Sequence, residues 1–97
     1  MTPGKSESQI QEAMDILQEE CAEAIVEVSK IRRFGINEVH YKSGLTHRTQ
    51  LEMELGDVLA MIDILVDQGI VGREALERFA LQKKDKLTKW SNIYGKN

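Results

Sequence analysis

Apolar side chains recur along the first third of the chain at alternating steps of four and three: Ile10, Met14, Leu17, Cys21, Ala24, Val28 and Ile31. That spacing keeps one face of an α-helix apolar over several turns. Ser6 or Ser8 can cap its start. The helix is expected to end at Arg33–Gly35, with Gly35 as the C-terminal cap. A second stripe, Leu51, Leu55, Val58, Ile62 and Leu65, steps by four and three again. Thr46 precedes it as an N-cap, and the helix should stop near Gln68–Gly69. After a turn at Ile70-Val71-Gly72, a third helix is predicted over Arg73 to Trp90, with Leu76, Phe79, Ala80, Leu87 and Trp90 as its apolar positions. Residues 34–46 have no helical period and read as a loop punctuated by Gly35 and Gly44. Loops of that length are functional or floppy.

These elements define an all-α chain of about three helices, one domain over residues 1–97, with polar, flexible ends at 1–8 and 91–97. With 97 residues a single core is marginal, so the helical bundle is expected to be completed by oligomerisation. A hydrophobic fraction of 41% and a charged fraction of 30% are those of a globular protein. The net charge of −3 argues against nonspecific nucleic-acid binding, which needs a basic surface. No apolar run is long enough to span a membrane, and no signal-like core precedes Gln9, so a cytoplasmic location is expected. One cysteine, Cys21, excludes an internal disulfide and the usual cysteine zinc sites. Its place in the apolar stripe predicts a buried, inert thiol.

Two acidic pairs carry the chemistry. Glu20 and Glu23 lie midway along the first helix; Glu54 and Asp57 lie early in the second. Each pair is spaced three apart, so its carboxylates share a helix face beside the apolar stripe. If the two helices pack antiparallel, the pairs meet across the seam. Converging carboxylates repel unless a cation neutralises them, and an all-oxygen donor set suits Mg²⁺ or Mn²⁺ rather than zinc. Single acidic pairs are usually solvated helix surface, and Glu12, Asp15, Glu27, Asp63, Asp67 and Glu77 are read that way.

The runs LQEECAEAIVEVSK and LEMELGDVLAMIDIL, with Glu19-Glu20-Cys21-Ala22-Glu23 followed by Glu54-Leu55-Gly56-Asp57, resemble the MazG-like family, whose pattern is EExxE followed by ExxD. The likeness covers roughly residues 10–90. Thirty residues separate Glu23 from Glu54, slightly more than in that family, a difference that falls in the loop. The resemblance implies a fold related to the dimeric dUTPases, a homodimer or homotetramer, and Mg²⁺-dependent hydrolysis of a nucleoside triphosphate to the monophosphate and pyrophosphate. It implies Glu20, Glu23, Glu54 and Asp57 as metal ligands, and Glu19 in a water-orienting role. Glu20 or Glu23 can accept the proton of the attacking water. Lys83, on the apolar side of the third helix, Lys86 beside it and Lys30 near the end of the first are the expected phosphate contacts. Lys30 and Arg33 also suit the negative end of a helix dipole. His40, Tyr41 and Lys42 in the loop include a pair able to stack on a base, whereas His47 reads as surface. The competing reading is a non-catalytic oligomerisation module whose acids face solvent and bind no metal. A di-iron bundle needs Glu-x-x-His, and neither His40 nor His47 follows an acid at that spacing.

Overall fold

A computed structural model describes residues 7–95. They form three helices: α1 (Glu7–Phe34), α2 (His47–Asp67) and α3 (Arg73–Trp90). Among the described residues there is no strand beyond a single antiparallel bridge between Val39 and Thr46. The expected start of α1 falls one residue beyond Ser6, which lies outside the described residues, and Ser8 sits inside the first turn.

Local chemistry sets the helix ends. Gly35 takes φ +99°, a left-handed conformation that suits glycine, and its N–H donates to the Ile31 carbonyl at 2.8 Å. Thr46 is extended, and its hydroxyl accepts from the Thr49 N–H at 3.2 Å, capping α2. At the other end Gly69 is left-handed, Ile70 N–H donates to Leu65 O, and Gly69 N–H donates to Val66 O. Those two bonds are the Schellman pattern. The loop between α1 and α2 is a built structure. Its carbonyls at Glu38 and Ile36 accept from His47 N–H at 3.1 Å and Arg48 N–H at 2.9 Å, two donors that the first turn of α2 cannot satisfy itself.

α1 and α2 form an antiparallel hairpin, and α3 packs little against either. An ion pair from Arg73 to Asp63, 2.8 Å, ties the start of α3 to α2. The buried apolar core is small: Ala13, Met61 and Leu65, with Ile16, Leu17 and Val71 packed on it. No residue of α3 is buried, and Trp90 is 83% exposed. The chain is flat, 47 × 40 × 14 Å, with a radius of gyration of 16.8 Å. A compact chain of this length has a radius of about 12–13 Å.

The seam between α1 and α2 is rotated from the apolar stripe. On α1 it runs through Ala13, Leu17, Glu20, Ala24, Glu27 and Ile31, all buried or half-buried. Met14, Cys21 and Val28 each follow a seam position by one residue and are therefore turned about 100° away. They are exposed, as are Ile25 on α1 and Leu55 and Leu59 on α2. In an antiparallel pair of right-handed helices, positions one residue after the seam turn to the same side. The hairpin therefore has one flat side rich in apolar residues, and the positions preceding the seam, with Val26, Met53 and Ile64 exposed among them, make up the other. The Cys21 thiol is exposed rather than buried, because it belongs to that apolar side and not to the seam. Two residues read as surface are in the seam instead: Glu27 is 7% exposed and His47 only 1%.

Candidate metal and nucleotide groove

Glu20 lies seven residues before Glu27 on α1, and Glu54 seven after His47 on α2, so all four fall on the seam. Asp57, one turn beyond Glu54, tilts to the side opposite the apolar face. The packing brings Glu20, Glu54 and Asp57 together: one carboxylate oxygen from each lies within 4.8 Å of the others. Glu20 and Glu54 are half-buried and Asp57 is exposed.

Crowding shows in protonation. Partial burial, then hydrogen bonding to and repulsion from Asp57, then Glu54, hold the Glu20 carboxyl above its usual range. The Glu54 carboxyl is raised by partial burial and by the charges of Asp57, Glu23 and Glu27, against a lowering from its hydrogen bond with Glu20. Glu23 is exposed and outside the three-carboxylate cluster, although its charge is felt at Glu54. Glu19 is exposed on α1.

A line of pockets follows the seam on the side opposite the apolar face. At one end Ala13, Ile16, Met61 and Ile64 line it, and Ile16 and Met61 carry it on to Glu20 and Asp57. Glu54, Glu27, Gln50 and Ser43 line the next stretch. The far end is a cavity of about 280 Å³ walled by Lys30, Phe34, Glu38, His40, Tyr41 and His47. Among the described residues, the buried side-chain atoms without a partner are Glu27 Oε1, His47 Nδ1, Gln50 Oε1 and Gln68 Oε1. Gln68 lines the first of these pockets, Glu27 and Gln50 the one beside Glu54, and His47 the far cavity. Orphaned buried polar atoms are rare in folded chains, and each marks a place where a ligand or water completes the bonding.

The lysines divide. Lys30 lines the far cavity, with Nζ 3.5 Å from Glu27 Oε2. Lys83 and Lys86 are exposed on α3, and neither lines these pockets. Glu27 and His47 are the pocket residues that sequence reasoning passed over. The signal was there: each stands seven residues from an acid already singled out, two helical turns along the same face.

Comparison of the chain with protein-family models, with curated proteins and with solved structures finds no match. Among the described residues no helix is long and apolar enough to cross a membrane.

Proposed function

We propose that the chain is a cytoplasmic, MazG-like nucleoside triphosphate pyrophosphohydrolase that works with Mg²⁺, or Mn²⁺, as a homo-oligomer. The observation that carries the reading is the convergence of Glu20 from α1 with Glu54 and Asp57 from α2, the acids that the family resemblance pairs across two helices. The donor set fits the ion. Three carboxylates held against their mutual repulsion, two of them with raised protonation, are what a hard divalent cation relieves. Glu20, Glu54 and Asp57 would hold it; Glu23 lies outside this cluster, and its charge is felt at Glu54. When bound, the ion supplies charge neutralisation on the phosphates and acidifies a ligated water.

The chain's own groups do the rest. Glu20 or Glu23 takes the proton from the attacking water, and Glu19 orients the water. Lys30 sits within reach of the pockets. Lys83 and Lys86 serve as phosphate contacts if α3 of a second copy brings them over the acids. The exposed apolar side of the hairpin and the thin core support that assembly, a homodimer or homotetramer, because a monomer would leave Ile25 69% and Leu59 63% exposed. A non-catalytic oligomerisation module would share that apolar face. Pyrophosphate release separates the two. A panel of ribo- and deoxyribonucleoside triphosphates, tested with Mg²⁺ and with EDTA, should yield metal-dependent pyrophosphate that Glu54→Gln/Asp57→Asn abolishes. No release from any of them, with no heat of Mg²⁺ or Mn²⁺ binding, would leave the module reading standing.

A further inference from the structure

We propose that the cavity walled by Phe34, His40, Tyr41 and His47 binds the nucleobase of the nucleotide, with His47 Nδ1 accepting a hydrogen bond from a base N–H. The proposal rests on the pyrophosphohydrolase reading and adds to it the place and chemistry of base recognition.

Four of the seven residues lining the cavity carry aromatic rings, beside Lys30, Glu38 and Val39. His40 stacks on Tyr41 with ring centroids 5.1 Å apart, Phe34 stacks on His47 at 5.8 Å, and His40 meets His47 edge-on at 5.8 Å. Such walls suit a flat, neutral heterocycle, for which aromatic stacking is largely indifferent to base identity. His47 supplies the polar anchor. It is 1% exposed, and its Nδ1 has no partner. Its Nε2 stands 3.7 Å from the Glu38 carboxylate. In the neutral ring with its proton on Nε2, the side facing Glu38, Nδ1 is an acceptor. The missing group is therefore a donor, as on the ring or exocyclic nitrogen of a base.

Position agrees with chemistry. His47 and Glu54 are seven residues apart on α2, about 10 Å along the helix. That is the order of the reach from a base across its sugar to the phosphates. The stretch between is lined by Gln50 and Glu27, whose Oε1 atoms are acceptors without a donor. Sugar hydroxyls are donors of the right kind. Gln50 is held in place because its Nε2 donates to Ser43 Oγ at 2.8 Å. Successive pockets along the seam thus offer, in order, a stack, an acceptor for a base, acceptors for a sugar and carboxylates for a phosphate-bound cation.

Nucleosides without phosphate provide the test, because they bypass the acids. The chain has two histidines, so their ring signals in NMR report directly on the cavity. Titration with the four common ribonucleosides and their deoxy forms, in EDTA, should move both histidine signals for at least one base. Tyr41 is 84% exposed, so Tyr41→Ala should fold normally. It should raise KM for the matching triphosphate by about tenfold, the effect of one lost stacking contact, with kcat little changed. His47→Phe keeps the ring and removes the acceptor, and should raise KM likewise; His47→Asn, which restores an acceptor near Nδ1, should recover part of the loss. If no nucleoside moves the wild-type signals, or if KM is indifferent to Tyr41→Ala while Mg²⁺-dependent hydrolysis persists, the cavity is not the base site and the enzyme reading survives. If nucleosides bind there and no triphosphate is hydrolysed, the enzyme reading fails and the base cavity stands.

Discussion

Replacing Leu59 by Gln isolates the apolar flat side from the hairpin's own stability. Leu59 is 63% exposed in the single chain. Full burial of a leucine side chain is worth about 1.5–3 kcal/mol, so covering the remainder contributes about 1–2 kcal/mol. A two-fold interface uses each residue twice, giving about 2–4 kcal/mol per dimer. That weakens association by about 30- to 800-fold. Within one chain the same change alters a surface position, with an effect on monomer stability of about 0.5 kcal/mol or less. Sedimentation velocity over a broad concentration range reads the dissociation constant against a monomer of 11.0 kDa. Helicity by circular dichroism checks that the hairpin persists. A wild type that sediments as a monomer throughout, or a variant whose association is unchanged, refutes the claim that a second copy covers this side.

Further outcomes follow from the site and the helix ends. Glu54→Gln should raise the melting temperature in EDTA at pH 7. A carboxyl held above its usual value of 4.5 costs stability only once it ionises, so the gain should fade as pH falls toward about 4.5 and be absent below it; a gain independent of pH, or a loss at pH 7, contradicts the crowding at the acids. Mg²⁺ at a hundred times its dissociation constant should stabilise the wild type by about 2.7 kcal/mol, read as a rise in melting temperature that Glu20→Gln/Asp57→Asn lacks. Gly35→Ala forces a side chain into φ +99° with no atom within 4 Å to clash, so it should cost about 1–3 kcal/mol through backbone strain alone, and Thr46→Ala should cost about 1 kcal/mol through the lost cap, both by urea denaturation.

What could be read from the sequence was local or periodic. Gly35 and Thr46 mark helix ends through chemistry contained in a few residues, and the structure places both where that chemistry requires. Of the acids that spacing places beside the two stripes, Glu20, Glu54 and Asp57 converge and Glu23 does not. The rotation of α1 was not legible. Its apolar residues cover a face wider than one neighbour needs, and periodicity cannot say which part packs within the chain. Met14, Cys21 and Val28 therefore looked like core but are exposed, and Glu20 and Glu27 took the seam. His47 was hidden for a similar reason: a lone histidine at the start of a helix resembles surface until the loop folds back over it through Val39 and Thr46. The packing of α3 was not legible either: its apolar positions predict a packed helix, yet Phe79, Leu81 and Trp90 are exposed among the described residues.

Phosphorus NMR of a cleaved nucleoside triphosphate in Mg²⁺ distinguishes attack at the two phosphoanhydride bonds. Nucleoside monophosphate and pyrophosphate are expected in equal amounts, absent in EDTA and absent with Glu54→Gln/Asp57→Asn. Diphosphate and orthophosphate, or an unchanged triphosphate across every base and sugar, would contradict the proposed pyrophosphohydrolase activity.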